Sequence, residues 1–304
     1  MTFNKYLIII AGPTAIGKSS IAIDMATFLG TEIISADSRQ VYRELNIGTA
    51  KISHKEQAMV PHHLIDLHKI SDRFSAAEFE EAAMEVIAEV HSRSNFAILC
   101  GGTGLYIHAI RHGLDHIPDV PMSIRAHWDT IYQSDGLLPL QETLAKEDPV
   151  YFAKVDRKNH RRLIRALSVI QHTGKPYSSY LHDQPRSRPF EAIPILLHVE
   201  RAKLYDRINQ RVDEMITQGL EEEVRALIPY KQHSALQTVG YQEWFPYFEG
   251  QYDRNEAIRL IKRNSRRYAK RQNTWFKGHG PWLEMEPTAV MSWLQKWSEG
   301  MLTS

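Results

Sequence analysis

The chain has 304 residues, 43% of them hydrophobic and 24% charged, which is enough to bury one large core or two modest ones. Its 37 basic and 36 acidic side chains give a net charge of +1, so attraction to nucleic acid must come from local patches rather than from the whole molecule. The single cysteine, Cys100, excludes an internal disulfide and any multi-cysteine metal site. No apolar segment reaches the length of about 18 residues that a membrane-spanning helix needs. We therefore expect a cytoplasmic protein with no membrane association.

The first third of the chain alternates predicted strands and helices. Apolar runs at 6–11, 31–36 and 96–100 are typical of buried strands, with a helix after the first run and another beginning at Ser75. Ser75 and Glu78 have the spacing of a capping box, which marks the start of that second helix. The order predicts an α/β fold of the doubly wound, phosphate-loop class with a mostly parallel sheet.

Two clusters of prolines, at 118–121 and 185–194, interrupt this pattern. The residues between them have helical periodicity and few β-branched runs, which predicts a helical insertion domain. The predicted division is 1–117 for the first part of the core, 118–192 for the insertion and 193–304 for the second part of the core.

The second part of the core begins with the run IPILLHV at 193–199, which predicts a strand that returns to the sheet. A long helix follows it and ends at Gly219. The predicted inner face of that helix has four apolar residues: Leu204, Ile208, Val212 and Met215. The remainder is predicted to be helical, apart from a short strand at 282–285.

The strongest motif is GPTAIGKSS at 12–20, which has the G-x-x-x-x-G-K-S spacing of a phosphate-binding loop and follows a predicted strand. Gly12 and Gly17 let the backbone turn so that successive amides point inward, Lys18 adds a mobile charge, and Ser19 or Ser20 can place a hydroxyl on Mg²⁺. The predicted diphosphate-binding residues are Gly12, Pro13, Thr14, Ala15, Ile16, Gly17, Lys18 and Ser19, with Ser19 also the metal ligand. The loop alone recognises only a diphosphate-like group, so the rest of the ligand stays open.

An acidic residue follows a different strand from the one that a kinase would use. Kinases and ATPases normally carry an acid at the end of a later strand, but the strand at 96–100 leads into GGTGLY with no carboxylate. Asp37 instead follows the second predicted strand. Because carboxyl ends of parallel strands line the ligand crevice, Asp37 and Thr103 are expected to face the loop. On position alone, Asp37 is equally well a helix cap or a loop acid.

Two stretches are strongly basic. Residues 254–277 contain nine basic side chains against the single acid Glu256, and seven of them between 259 and 271 repeat on one helical face. On the opposite face we expect Ile261, Tyr268 and Trp275 to be core residues. Residues 156–165 contain five more basic side chains against one acid. Faces that barely mix signs indicate nucleic-acid binding, and two such surfaces on two domains predict a clamp around an RNA stem.

Seven segments, taken in order, resemble the bacterial tRNA dimethylallyltransferases, the tRNA isopentenyltransferase family, over nearly the whole chain. They are GPTAIGKS (12–19), SADSRQVYRELNIGTAK (35–51), PHHLID (61–66), GGTGLY (101–106), RRLIRAL (161–167), VGYQE (239–243) and RQNTWF (271–276). The resemblance implies transfer of a dimethylallyl group from its diphosphate to the exocyclic amine of the adenine 3′ of the anticodon, in tRNAs that read codons beginning with U.

The resemblance also implies roles for individual residues. Asp37 is the base that accepts the amine proton, Thr14 contacts the substrate, and Lys18 stabilises the departing diphosphate with Mg²⁺. From their positions, Arg207 and Arg211 lie one turn apart on the helix that follows 193–199, and we favour Arg211 as a further diphosphate ligand. Alternatively, Arg211 is the partner of Glu214 in a surface salt bridge. The residues implied along the tRNA path are Asp37, Ser38, Arg39, Gln40, Thr103, Arg125, Arg161, Arg162, Leu163, Ile164, Arg165, Gln237, Thr238, Val239, Gly240, Tyr241 and Gln242.

The expected partners are the anticodon stem-loop of tRNA and dimethylallyl diphosphate, with no obligate protein partner. The target base must leave its stack, so we expect a channel between core and insertion. Three alternatives remain at this point: a phosphate-loop kinase, an adenylate isopentenyltransferase acting on free AMP or ADP, and a non-catalytic RNA-binding module. The missing acid after 96–100 disfavours the first, and the long basic helix disfavours the second. An intact loop together with Asp37 disfavours the third.

Overall fold

A computed structural model describes residues 5–181 and 186–302 of the chain, so Pro185 of the second proline cluster lies outside the described residues. The strands are β1 Tyr6–Ala11, β2 Ile33–Ser35, β3 His62–His63, β4 Phe96–Gly101, β5 Glu191–Leu197 and β6 Leu283–Met285. The α-helices are α1 Lys18–Leu29, α2 His54–Met59, α3 Ala76–Arg93, α4 Gly104–His112, α5 Met122–Asp135, α6 Leu138–Glu147, α7 Pro149–Lys154, α8 His160–Thr173, α9 Arg201–Thr217, α10 Leu220–Ala226, α11 Trp244–Phe248, α12 Arg254–Lys277 and α13 Val290–Leu302.

The strands form one parallel sheet in the order β3-β2-β4-β1-β5-β6. The mostly parallel α/β fold predicted from the sequence is therefore confirmed. β5 begins two residues before the predicted start at 193, and β2 is shorter than the predicted run at 31–36. β3 was not predicted, because two residues are too few to give a hydrophobic pattern.

β1 lies at the centre of the sheet, and its residues 7–11 are fully buried because helices cover both faces. Ile8 and Ile10 belong to a core cluster with residues of α1, α9 and α13. Leu7 and Ile9 point to the other face, where they cluster with residues of α3 and α4. This alternation inside a continuous apolar run is the expected pattern of a doubly covered parallel strand. It places the carboxyl end of β1, and so the phosphate loop, at the edge where β2, β4 and β5 also end.

Two predicted helix features are confirmed. Ser75 caps α3, and Ser75 and Glu78 make the reciprocal hydrogen bonds of a capping box. The buried residues of α9 are the four predicted from its spacing: Leu204, Ile208, Val212 and Met215. Gly219 follows α9 with a φ of 97°, a left-handed conformation that favours glycine.

Residues Leu114–Arg186 form a compact unit separate from the rest of the chain. The helices α5 to α8 of this unit surround their own hydrophobic core, which includes Leu140, Leu144, Leu163 and Leu167. The sequence places the insertion at 118–192, and that division of the chain stays a prediction. Among residues 5–181 and 186–302, no helix combines the length and the low charge that a membrane crossing requires.

Candidate active site

The phosphate loop turns sharply from the end of β1 into α1. Gly17 has a φ of 101° and Ala15 a φ of 63°, so even a non-glycine residue is held in the left-handed region. No side chain of the described residues caps α1, and its first turn has no acidic residue. The amides of that turn and the positive end of the helix are therefore available to an anion, as the sequence predicts.

The Lys18 ammonium folds back over this loop. Its Nζ donates a hydrogen bond to the carbonyl oxygen of Pro13 at 2.8 Å. Burial lowers the pKa of Lys18 to about 8, and the nearby charge of Arg211 acts in the same direction. Lys18 therefore carries a charge that a bound diphosphate would stabilise.

Two arginines of α9 reach the phosphate loop. Arg211 Nη1 lies 3.5 Å from Thr14 Oγ1, and Arg207 Nη1 lies 3.4 Å from the carbonyl oxygen of Ile16. Within the described residues, no ion pair joins Arg211 to Glu214, so the surface salt bridge considered as an alternative is not formed. Burial lowers the pKa of Arg211, as expected for a guanidinium that lines an enclosed site.

Asp37 follows β2 and lies in the loop that faces the phosphate loop. Its Oδ1 accepts hydrogen bonds from the amides of Arg39 at 2.8 Å and Gln40 at 3.3 Å. Thr103, after β4, fixes the neighbouring residue, because its Oγ1 accepts a hydrogen bond from the amide of Ser38 at 3.0 Å. Asp37 thus stabilises its own turn, as a loop acid does, and its role as the base stays a prediction.

Two cavities share the lining residues Ala15, Arg211 and Met215. The first, which we call the outer cleft, has a volume of about 550 Å³ and is lined by polar groups that include Lys18, Ser19 and both α9 arginines. The second, the inner pocket, has a volume of about 100 Å³. Its lining combines polar groups with apolar side chains of α9 and α12: Thr14, Asp37, Arg39, Arg211, Ser265 and Tyr268 with Ile208, Val212, Met215 and Ile261.

The inner pocket also brings in part of the predicted tRNA segment at 237–242. Residues Thr238, Val239, Gly240 and Tyr241 line it. Gln237 is exposed and donates to the carbonyl of Lys231, and Gln242 lies near Glu243, so these two amides do not line the pocket. The Gln40 side chain is also turned away, since its Nε2 donates to the carbonyls of Thr49 and Ala50.

One important residue of this region, Glu223, gave no recognisable signal in the sequence. Its carboxylate accepts hydrogen bonds from the amides of three consecutive residues, Asn46, Ile47 and Gly48, at 2.8–3.2 Å. It also accepts one from the Tyr241 hydroxyl at 2.6 Å. Glu223 therefore fastens two loops that line the inner pocket, although it lies within a run of three glutamates that reads as a solvated helix surface.

Tyr268 corrects a prediction, because the helical spacing assigned it to the core. Its side chain is 36% exposed and lines the inner pocket together with Asp37. Burial of the hydroxyl end, and then the negative charge of Asp37, raise the pKa of Tyr268 to about 12. A signal was present in the spacing: Ser265, Tyr268 and Gln272 interrupt the apolar face of α12 with polar groups, which is unusual for a core stripe.

The basic face of α12 is less continuous than the sequence suggests. Lys262 forms an ion pair with Asp213 of α9, and Arg259 forms one with Glu256. Arg266 donates to Asn209. The contacts of Lys262 and Arg266 arise because α9 packs beside α12, whereas Arg259 pairs with an acid of α12 itself. The exposed cations in the second half of the helix are Arg267, Lys270, Arg271 and Lys277.

In the unit Leu114–Arg186, α8 carries Arg161, Arg162 and Arg165 on its exposed side. The intervening Leu163 and Ile164 are 0% and 2% exposed, so their side chains belong to the hydrophobic core of the unit. The placement of residues 161–165 along the tRNA path stays a prediction, and within it only the three arginines expose their side chains. Arg125 is exposed on α5, 4.0 Å from Asp129.

The residues around the loop suit a divalent metal that takes most of its ligands from phosphate and water. Across the described ranges, no group of three or more His, Cys, Asp or Glu side chains is placed to hold a metal ion. Ser19 lies at the start of α1 in the outer cleft, next to the loop amides. A single hydroxyl beside a phosphate site is compatible with Mg²⁺, which keeps several waters and binds substrate phosphates.

The fold is that of a phosphate-loop protein, and the carboxylate of Asp37 lines a pocket together with Thr14 of that loop. A family profile described as IPP transferase matches residues 40–279, and the chain belongs to that family. It is 45% identical over 273 residues to the tRNA dimethylallyltransferase of Cytophaga hutchinsonii, covering 90% of each chain. It is 47% identical over 274 residues to that of Christiangramia forsetii, covering 90% of this chain and 91% of the relative.

Two solved structures support the same family assignment. The chain resembles the tRNA isopentenylpyrophosphate transferase of Bacillus halodurans with a TM-score of 0.69 and 38% identity, over 98% of this chain and 96% of the other. It also resembles a eukaryotic dimethylallyltransferase whose structures capture it acting on tRNA, with a TM-score of 0.78 and 27% identity. That match covers 98% of this chain and 78% of the other.

Proposed function

We propose that this protein transfers a dimethylallyl group from dimethylallyl diphosphate to a tRNA. The acceptor is the exocyclic amine of the adenine 3′-adjacent to the anticodon, in tRNAs that read codons beginning with U. The observation that carries the proposal is the inner pocket, in which Thr14 of the phosphate loop and Asp37 line the same small volume. The apolar part of that lining, formed by Ile208, Val212, Met215 and Ile261, suits a five-carbon chain.

The reaction breaks the bond between the allylic carbon and the diphosphate oxygen, and forms a bond from that carbon to the adenine nitrogen. The electron pair of the broken bond stays on the diphosphate, which the loop amides, Lys18 and Arg211 stabilise as its charge develops. The amine loses a proton to Asp37, because its lone pair is delocalised into the ring and it is a poor nucleophile until that proton is accepted. The apolar wall formed by Ile208, Val212 and Met215 holds the hydrocarbon chain and excludes water.

Mg²⁺ is the metal that we propose for this site, with Ser19 as its protein ligand. When bound, it would neutralise part of the diphosphate charge. The polar lining of the outer cleft supports this assignment, because Lys18, Ser19 and Arg211 surround a space large enough for a hydrated diphosphate.

The first test is to incubate the purified protein with labelled dimethylallyl diphosphate, Mg²⁺ and either unmodified tRNA or AMP. We expect label to appear in tRNA and not in AMP, and we expect no turnover of ATP. Transfer to AMP would support the adenylate isopentenyltransferase alternative. Steady ATP hydrolysis stimulated by a small alcohol or nucleotide, with no prenyl transfer, would support a kinase.

We further propose that arginines of α8 and of α12 contact tRNA phosphates. Reversing Arg162 and Arg165, or Arg263 and Arg267, to glutamate is expected to weaken tRNA binding and to flatten its salt dependence. Each lost phosphate contact lowers the slope of log K against log salt by about 0.9 or less. The affinity for the diphosphate donor is expected to stay unchanged, since neither pair lines the outer cleft or the inner pocket.

A matched control reverses Lys55 and Lys296, which are exposed on α2 and α13 and change the net charge by the same amount. The control is expected to keep the wild-type salt slope. Equal slopes in the wild type and in both arginine double variants would exclude these surfaces as the tRNA contacts.

A further inference from the structure

Gln272 joins two loops of the active site that are far apart in the sequence. It lies on α12 and is only 7% exposed. Its Oε1 accepts a hydrogen bond from the amide of Thr14 at 2.9 Å, and its Nε2 donates one to the carbonyl of Gly102 at 2.9 Å. The two partners fix the orientation of the amide, because exchanging its oxygen and nitrogen would set donor against donor and acceptor against acceptor.

The two hydrogen bonds of Gln272 connect it to the two parts of the proposed active site, the phosphate loop and the loop after β4. Thr14 belongs to the phosphate loop, where the leaving group is proposed to bind. Gly102 precedes Thr103, which accepts a hydrogen bond from Ser38, the residue after Asp37. Gln272 is therefore connected on one side to the donor and on the other to the proposed base.

The loop after β4 is built to admit this side chain. A Cβ atom on Gly102 would collide with Gln272 Nε2. Gly102 does not have a left-handed φ. The need for glycine at position 102 is therefore explained by the close approach of the Gln272 amide and not by the backbone conformation.

We infer that Gln272 is a positioning residue, which sets the distance between the phosphate loop and the loop that carries Asp37. This inference rests on the proposed function. Reacting groups must be held within a few tenths of an ångström of a productive arrangement, and a displacement of about 1 Å costs on the order of 100-fold in rate. A buried amide bonded to both loops supplies that constraint.

The direct test is Gln272→Met, which keeps the length of the side chain and removes both hydrogen bonds. With donor and tRNA saturating, we expect the single-turnover rate of prenyl transfer to fall about 10- to 100-fold. The dissociation constants of donor and tRNA should change little. A matched control is Asn273→Leu, which removes the next amide on the same helix and should keep the wild-type rate. A Gln272→Met rate equal to wild type, or a loss that extra donor restores, would overturn the inference.

A second variant tests whether the contact itself is responsible. Gly102→Ala should reproduce the loss, because the added methyl group displaces the Gln272 amide. If both changes act through one contact, the double variant should be no slower than the slower single variant. Losses that multiply would show that the two residues act independently and would reject the inference.

Hydrogen exchange of the unliganded protein gives a readout that does not depend on the reaction. In Gln272→Met, the amide of Thr14 is expected to lose protection, and so is that of Ser38, which Gln272 does not touch. Unchanged protection at Ser38 would mean that the effect does not reach the loop of Asp37, and the inference would fail. Because the wild-type transfer assay is run in parallel, failure of the proposed function itself is recognised separately, by the absence of wild-type product.

Discussion

Asp37→Asn is expected to keep the fold and both substrates while the single-turnover rate of prenyl transfer falls by about 10²–10⁴-fold, the usual contribution of a general base. The amide matches the carboxylate in size, and its oxygen can still accept the hydrogen bonds from the amides of Arg39 and Gln40. It cannot accept the proton of the adenine amine at neutral pH. The loss should therefore appear in the chemical step, measured with saturating donor and tRNA on protein whose melting temperature has been checked.

The matched control for this change is Asp72→Asn. Asp72 also closes a turn, because its Oδ2 accepts a hydrogen bond from the amide of Lys69 at 2.8 Å. It lines neither the outer cleft nor the inner pocket, so its amide variant should transfer prenyl groups at the wild-type rate. An Asp37→Asn rate within about threefold of wild type, far short of the general-base factor, would mean that the proton acceptor is elsewhere.

The parts of this site that the sequence predicts are those fixed by local patterns. The phosphate loop is a contiguous motif whose glycines and lysine have defined offsets, and α9 has an apolar period that identifies its buried side. Asp37 was located because the ends of parallel strands meet at one edge of the sheet. The sequence places Arg207 and Arg211 on one side of the helix after β5, but the contact of Arg211 with Thr14 depends on the packing of α9 against the loop.

The parts that escaped prediction depend on contacts between distant segments. Glu223 looks like any other surface glutamate until the loop at 46–48 folds onto it. Tyr268 was misassigned because a helical period separates two faces of α12, whereas this helix has three environments: core, pocket and solvent. Lys262 reads as part of an uninterrupted cationic face until α9 brings Asp213 against it. In each case the role is decided by a partner more than about 40 residues away, beyond the reach of local propensity.

Lys18→Met is expected to lower the single-turnover rate by about 10²–10³-fold, the range seen when one donor to a developing anion is removed. The methionine occupies similar space but supplies no charge to the departing diphosphate. Lys18→Arg is the matched comparison, since it keeps the charge at the same position. Its rate should exceed that of Lys18→Met, and equal losses in both would point to shape rather than charge at this position.

The pH dependence of donor binding tests the same residue in the wild-type protein. Burial lowers the pKa of Lys18 to about 8, so the ammonium loses its proton as the pH rises through that value. The charged form pairs with the diphosphate and the neutral form does not. The donor dissociation constant should therefore be constant well below pH 8 and increase by up to about tenfold for each pH unit above it, with proton uptake on binding in that upper range.

Lys18→Arg stays charged throughout and should show no such increase, because the guanidinium pKa lies above about 12. Calorimetric titrations in buffers of different ionisation enthalpy measure both quantities. A wild-type affinity that stays level from about pH 7 to 9.5, with no proton uptake, would show that Lys18 keeps its charge in the free protein and that its burial does not limit donor binding.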